Sequence, residues 1–472
     1  MRKTEIIEKL KDYSFLKSFS EIAKKNNTKI YLVGGFVRDL FLGRQKNEID
    51  ILVIGSGVEF AKKLTQELQI KNLTTYKNFG TAHFNYQEYK IEIVGARKES
   101  YDRNSRNPIV EDGSFDDDIS RRDFTINAIA ISINDEDYGT IIDKFNGLRD
   151  IKNRIIRTPL DPDITFNDDP LRILRAIRFA TQLQFQIQED ALEAAKKLKE
   201  RLKIISQERI TDEFLKILAS SKPSIGLILM HNLGLLDVIF PELAKLSGVE
   251  QRKDYHHKDV FYHTCEVVDN ISKNTDDIWL RFAALVHDIA KPLTKKFVED
   301  VGWTFHGHEE IGARMVKGIF KKLKLPFNKI EYVEKLVRLH LRPIALANEE
   351  VTDSAIRRLI VQAGDDLDDL ITLCRADITS KNLQKVEKYL ENYEKVIRRV
   401  KEVEEKDRLR AFQSPVRGDE IMRICKIPPG KTVGLIKSAI EEAILDGVIP
   451  NTYEAAYDYL LKIKDNYLNQ SQ

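Results

Sequence analysis

The residues best suited to chemistry begin with two acids, Glu48 and Asp50, in Asn-Glu-Ile-Asp-Ile-Leu-Val at 47–53. Spaced two apart on a strand, their carboxylates leave the same face. Oxygen ligands so placed suit Mg²⁺, which keeps several waters and takes phosphate oxygens as its remaining ligands. Two such ions activate an attacking hydroxyl and stabilise a departing pyrophosphate. Glu92, in Tyr-Lys-Ile-Glu-Ile-Val, is a third candidate acid, because Ile91 and Ile93 share the opposite face of that strand. Just upstream, residues 31–40 read Tyr-Leu-Val-Gly-Gly-Phe-Val-Arg-Asp-Leu. Gly34 and Gly35, between a strand and a helix, let phosphate oxygens approach backbone N–H groups at the positive helix end. Arg38 can add a charged fork there. A Gly-Gly turn alone is usually only a turn, and Glu-x-Asp on a strand is usually solvated; it is their close order that points to a site.

A second constellation lies at 166–180, Phe-Asn-Asp-Asp-Pro-Leu-Arg-Ile-Leu-Arg-Ala-Ile-Arg-Phe-Ala. With a helix starting at Asp168-Asp169-Pro170, Asp169, Arg172, Arg175 and Arg178 climb one side at steps of three, while Ile173, Leu174, Ile177 and Ala180 face a core. An ion-paired surface helix would read the same way. The chemistry favours a sharper role. Asp169 only accepts hydrogen bonds and Arg172 only donates them. Cytosine and adenine each offer an amino donor beside a ring-nitrogen acceptor, whereas uracil and guanine offer the reverse. An Asp–Arg pair one turn apart thus accepts C and A, and each group left unpaired by the wrong base costs roughly 1–3 kcal/mol.

A third cluster is histidine-rich. Of nine histidines, seven lie between 256 and 340. His287-Asp288 interrupts an apolar helix, His263 precedes it, and His306, His308, His340 and Asp377 follow. Imidazoles with carboxylates supply ligands for a divalent transition metal, or for Mg²⁺ where oxygen predominates.

These groups need elements to position them. Residues 29–33 and 49–54 read as strands, with further strands at 83–86, 89–94 and 128–133 and helices at 36–42 and 58–68. This α/β texture ends near Arg157. The pattern is then helical to about 463, with a charged helical stretch at 381–409. The charged clusters at 196–203 and 398–410 read as solvated faces. The chain has 472 residues, 76 basic and 74 acidic side chains and a formal net charge of +2, so bulk charge neither demands nor excludes a nucleic-acid partner. Cys265, Cys374 and Cys425 form no CxxC spacing, which fits a reducing cytoplasm. No apolar run approaches the ~18 residues of a membrane span, so no membrane partner is expected.

Gly34-Gly35-Phe36-Val37-Arg38-Asp39 with a downstream acid-x-acid pair resembles the class II CCA-adding enzyme and bacterial poly(A) polymerase family. Arg121-Arg122-Asp123-Phe124-Thr125-Ile126-Asn127-Ala128 resembles that family's second signature, and 143–147 the hinge after it. The resemblance implies that Arg122, Asp123 and Asn127 contact the incoming nucleotide's sugar and phosphates, and that Arg175 and Arg178 hold the nucleotide beside Asp169 and Arg172. The family's usual acid pair is Asp-x-Asp; Glu48 departs from it. His263, His287-Asp288 and Asp377 resemble an HD phosphohydrolase signature, with His308 and His340 at its additional metal positions.

The resemblance implies an α+β protein in which a polymerase-β-like nucleotidyltransferase α/β head precedes an all-helical remainder. An N-terminal helix (1–25) leads into the head (26–157), then a neck and body (158–250), an HD domain (251–385) and a tail (386–472). The implied partners are the tRNA 3′ end, CTP and ATP, and the implied cofactors Mg²⁺ in the head and an unidentified divalent metal in the HD domain. Residues 417–422 and 428–434 resemble the family's C-terminal segment, and the polar segment 101–118 could be a mobile loop. Poly(A) polymerase, CC-only or A-only addition, and an HD-type hydrolase with a decayed head remain open alternatives.

Overall fold

The computed structural model describes residues 3–45, 47–76, 80–100, 109–249, 259–299, 302–348, 352–380, 382–407 and 414–468. Two units are distinct, residues 1–244 and 245–472.

The first unit opens with α1 (Lys3–Leu10) and α2 (Leu16–Lys25), then β1 (Ile30–Val33), α3 (Gly34–Leu42), β2 (Glu48–Val53) and α4 (Gly57–Glu67). β3 (Thr74–Tyr76), β4 (Thr81–Tyr86), β5 (Tyr89–Gly95), β6 (Arg97–Ser100) and β7 (Ile109–Asp112) follow. Next come α5 (Phe115–Ser120), β8 (Ala130–Ser132), β9 (Ile141–Ile142), α6 (Gly147–Asn153) and β10 (Ile155–Ile156). The unit continues through α7 (Pro162–Asp168), α8 (Leu171–Leu183), β11 (Gln186–Ile187), α9 (Glu189–Leu198) and α10 (Gln207–Leu218). It closes with α11 (Ser224–Asn232), α12 (Leu236–Ile239) and α13 (Pro241–Ala244).

Seven strands form one mixed sheet in the order β3-β4-β5-β2-β1-β8-β9. Period-two alternation sorts its side chains onto two faces. Ile30 and Leu32 on β1, Ile49, Ile51 and Val53 on β2, and Ile91 and Ile93 on β5 join one core with Ile6, Phe19, Ala61 and Leu64 from α1, α2 and α4. Tyr31, Val33 and Leu52 lie in a second, smaller cluster with Ile119 and Ala128. Glu48, Asp50 and Glu92, each one residue out of phase with the first core, therefore lie on this second face.

The second half of the loop expected at 101–118 is regular structure. Residues 109–112 are β7, paired with β6, and 115–120 are α5, which Ser114 and Asp117 close with a reciprocal capping box. Residues 101–108 lie outside the described residues. The helix expected from Asp168 is also two helices. Asp169 is extended (φ −134°, ψ 99°) at the end of α7, and α8 starts after Pro170. Proline restricts the residue before it to extended backbone, so the break falls at Asp169.

The second unit is helical: α14 (Val260–Ser272), α15 (Ile278–Val286) and α16 (Lys291–Thr294) precede the strands β12 (Lys296–Val298) and β13 (Gly302–Thr304). α17 (His308–Lys322), α18 (Ile330–Leu339), α19 (Arg342–Asn348), α20 (Asp353–Ala363) and α21 (Leu367–Ala376) follow. The long α22 (Leu383–Asp407) leads to α23 (Gly418–Cys425), α24 (Lys431–Leu445) and α25 (Tyr453–Leu468), which share a small core around Ile421, Ile440 and Leu460. The expectation of an all-helical remainder needs one correction: β10 pairs with β11 in parallel, and β12 pairs with β13 as a hairpin. Among the described residues no helix is long and apolar enough to cross a membrane. All three cysteines are buried and free.

Candidate functional site

Register places the acids of the head. β2 and β5 run parallel with Asp50 beside Glu92 and Glu48 beside Lys90, and β4 sets His83 beside Glu92. On the other side of β2, Val33 pairs with Asp50, so β1 delivers the chain into Gly34 next to that carboxylate. Gly34 has φ +72°, and a Cβ there would lie 2.7 Å from Asp50 Oδ2 and 3.4 Å from an Arg122 guanidinium nitrogen. Only glycine satisfies both the backbone and the space. Glu48 and Glu92 are both exposed and Asp50 is half-buried. The Glu48 carboxylate is 3.2 Å from Lys90 Nζ, and lysine opposite in register draws it along the strand pair. Ligand atoms of at least three groups converge to within 4.8 Å at two places among the described residues, both in the second unit.

Behind the acids runs a buried ionic ladder. Arg38 donates to both Asp39 oxygens (3.0 and 2.9 Å) and to Asn127 Oδ1 (2.8 Å). Asn127 donates to Asp123 Oδ1 at 3.0 Å, and Arg175 donates twice to Asp123 Oδ2 at 2.9 and 2.6 Å. Arg178 donates to buried Glu213 at 2.6 Å. The Phe179 ring lies against the guanidinium carbons of Arg178, Arg38 and Arg175 at 4.2, 4.9 and 5.5 Å. Burial opposes the Asp123 carboxylate, but the charge and hydrogen bonds of Arg175, with the Asn127 amide and the Arg172 charge, together outweigh it and hold its pKa down to about 2. Asp123 is buried but Arg175 is 34% exposed, so losing one partner costs about 3 kcal/mol or less, at the low end for a buried pair. Expected as nucleotide-binding groups, Arg38, Arg175 and Arg178 thus have their guanidiniums on internal acids.

Arg122 donates to buried Asp118 at 2.9 Å, as its neighbour Arg121 does at 2.5 Å. Arg172 donates to the Arg121 carbonyl at 2.7 Å, which brings the start of α8 to the arginine pair. Asp169 caps α8 through the Leu171 N–H at 3.1 Å and receives Arg209 at 3.3 Å on its other oxygen. Lys90, Asp118, Phe179 and Glu213 were missed in the sequence. Lys90 needed the strand register, and the other three needed the tertiary packing of α5, α8 and α10.

In the second unit the donors sit at helix ends. His287 follows α15, His308 opens α17, His340 follows α18 and Asp377 follows α21. His287, His308 and His340 each place Nδ1 on the carbonyl three residues back, Ala284, Phe305 and Val337, at 2.7, 2.7 and 2.6 Å. A carbonyl only accepts, so each Nδ1 carries a proton, and Nε2 is the nitrogen left to offer a lone pair to a cation. These lone pairs converge. His308 Nε2 is 3.3 Å from His340 Nε2 and 3.2 Å from Asp288 Oδ1. His287 Nε2 is 3.2 Å from Asp288 Oδ2 and 3.3 Å from Asp377 Oδ1, and His263 Nε2 lies 2.9 Å from that Asp377 oxygen.

Buried His287 Nε2, Asp288 Oδ2 and Asp377 Oδ1 have no hydrogen-bond partner. Lys291 Nζ is 2.7 Å from Asp288 Oδ2 without completing one. Burial disfavours a charged His287, yet Asp288 and Asp377 reverse that and raise its pKa to about 10, so a metal on Nε2 would displace a proton. Acceptors facing acceptors in a buried pocket call for cations, and mixed nitrogen and oxygen donors fit a divalent transition metal. Two donor groups, His263-His287-Asp288 and Asp288-His308-His340, share Asp288. His306 is exposed, and His256 and His257 lie outside the described residues.

Comparison with known proteins follows the same division. Residues 30–157 match the poly A polymerase head domain, 184–246 the probable RNA and SrmB-binding site of polymerase A, and 260–380 the HD domain. An A-adding tRNA nucleotidyltransferase of Deinococcus radiodurans is 31% identical over 72% of this chain and 78% of its own length. A multifunctional CCA protein of Stenotrophomonas maltophilia is 33% identical over 70% of this chain and 80% of its own. An A-adding tRNA nucleotidyltransferase of Aquifex aeolicus is 36% identical over 57% of this chain, a stretch that spans 32% of that relative's length. Among solved structures, a tRNA nucleotidyltransferase complexed with a primer tRNA and an incoming ATP analog is 27% identical, with a TM-score of 0.57 over 81% of this chain and 99% of the other.

Proposed function

The chain belongs to the tRNA nucleotidyltransferase family, and from that premise we propose that it adds C and A from CTP and ATP to the 3′ end of tRNA, releasing pyrophosphate. The observation that carries this reading is the packing of Gly34 against Asp50 and Arg122, with Glu92 beside Asp50 in register. Asp50 and Glu92, with Glu48, are the residues that would hold Mg²⁺. When bound, the ions would supply charge to the reacting phosphate and lower the pKa of the attacking hydroxyl. Gly34 and Gly35 expose the N–H groups that open α3, an anion site next to those acids. Arg122 aims positive charge at the same place, and Asp118 orients it.

Asp169 and Arg172 read the base. Asp169 accepts from an amino group, and Arg172 donates to the ring nitrogen from a position fixed through the Arg121 carbonyl. Arg38, Asp123, Asn127, Arg175 and Arg178 act behind this pair as the frame between head and α8. The proposed setting is the cytoplasm, where the three thiols stay reduced.

Purified protein should incorporate labelled CTP and ATP into tRNA ending before C, before CC and before A. Two relatives named A-adding favour a narrower reading, in which only the last substrate is extended. Long A-tails, or no incorporation on any substrate, would refute both.

The second unit is proposed to be a metal-dependent phosphohydrolase. His263, His287, Asp288, His308, His340 and Asp377 would hold a divalent metal that activates water when bound. Elemental analysis of the full chain, with a phosphodiester assay, tests it; a protein without bound metal that does not respond to added Mn²⁺ or Zn²⁺ would contradict it.

A further inference from the structure

Between Asp288 and His308 the chain leaves the metal-ligating cluster, runs through α16, folds back as the β12–β13 hairpin and returns. Both ends are anchored at the cluster. Lys291 Nζ stands beside Asp288, and the Phe305 carbonyl accepts from His308 Nδ1. A ribbon of two short strands builds no core of its own. Its apolar groups face water: Phe297 is 60% exposed. Phe297 and Trp303 are cross-strand partners, so their rings share a face, with centroids 5.3 Å apart. Lys295 Nζ lies 4.3 Å from the centre of the Trp303 ring, and Lys291 Nζ lies 5.6 Å from that of Phe305. Exposed His306 follows on the return strand's side. Rings interleaved with cations fit a ligand that has an aromatic base and a phosphate, because bases stack on any ring and phosphates seek the cations.

The geometry points to the β12–β13 hairpin as a recognition platform for a nucleoside phosphate, free or at the end of an RNA. Phe297 and Trp303 take the base, Lys295 meets the phosphate, and the ester is thereby presented to the histidine–aspartate cluster. This rests on the phosphohydrolase reading and adds the place that holds the substrate's base: a sugar phosphate without a base should be a poor ligand.

Trp303 reports on its own surroundings once Trp279, the chain's other tryptophan, is replaced in the full-length protein. Trp279→Phe is conservative, since that ring packs on Phe320. After metal content has been measured, AMP, ribose 5-phosphate and a short oligoribonucleotide with a 3′-phosphate are titrated against Trp303 fluorescence. AMP or the oligonucleotide should saturate the change at about tenfold lower concentration than ribose 5-phosphate, the usual worth of one stacked base. Phe297→Leu should erase that tenfold difference while leaving circular dichroism and metal content unchanged. Tighter AMP assigns the platform to free nucleotides, and a tighter oligonucleotide assigns it to RNA ends. Equal response to all three, or no response, overturns the proposal. Metal content of the protein and of Asp288→Ala decides the underlying reading separately, because metal can be present where stacking is absent and the reverse.

Discussion

At the scale of single residues, the acids of the head divide by strand register. Asp50 and Glu92 are side by side on the central strands, whereas Glu48 stands beside Lys90 and pairs with it. Glu48→Asp is expected to preserve or raise single-turnover nucleotide addition, and Glu48→Ala to lower it by about tenfold or more, measured at saturating Mg²⁺. An unchanged rate in Glu48→Ala would remove Glu48 from the metal site. Base choice belongs to the same scale. The double variant Asp169→Ala with Arg172→Ala should lose discrimination against UTP and GTP by about tenfold to a hundredfold, read as ratios of kcat/KM. Much of this was legible in the sequence, because period-two spacing alone put Glu48 and Asp50 on one face and Glu92 opposite Ile91 and Ile93. Lys90 was not legible. Its pairing with Glu48 depends on strand register, a tertiary fact that the two segments do not carry separately.

At the scale of elements, the joint between β1 and α3 and the joint between head and α8 carry the account. Gly34→Ala should strain a left-handed backbone and press a methyl against Asp50, so addition should fall by about a hundredfold while tRNA binding persists; filter binding beside kinetics checks this. The head–α8 joint is electrostatic. Asp123 has its pKa lowered from 3.8 to about 2, so its contribution is full above about pH 4 and is lost as pH falls towards 2. That contribution is about 2 kcal/mol. Asp123→Asn should flatten the acid limb of denaturant-measured stability and cost about 3 kcal/mol near neutrality by stranding Arg175. Sequence periodicity found the arginines and the buried face of α8 together. It missed that α8 begins after Asp169, since a proline early in a helix and a proline at a break look alike until the preceding residue's backbone is seen. It could not show the acids that Arg175 and Arg178 meet, because Asp123 and Glu213 are 52 and 35 residues away from them.

At the scale of the whole molecule, two units carry two groups of acids. Chelation should lower the thermal transition of the second unit by several degrees and leave the first nearly unmoved, because a cation held between the facing histidine nitrogens would bind only the folded cluster. Scanning calorimetry with and without a chelator, then with metal restored, reads this out. The clustering of histidines announced that centre in the sequence; its sharing of Asp288 between two donor groups did not, since that requires α15, α17 and α18 to meet.

The most direct measurement on the central claim is single-turnover incorporation of labelled nucleotide into tRNA by Asp50→Asn, which keeps the side chain's shape and removes its charge. The rate should fall by about a thousandfold or more with tRNA affinity within about twofold of the parent. A rate within about tenfold of the parent would mean that nucleotide addition does not depend on the acids of β2 and β5.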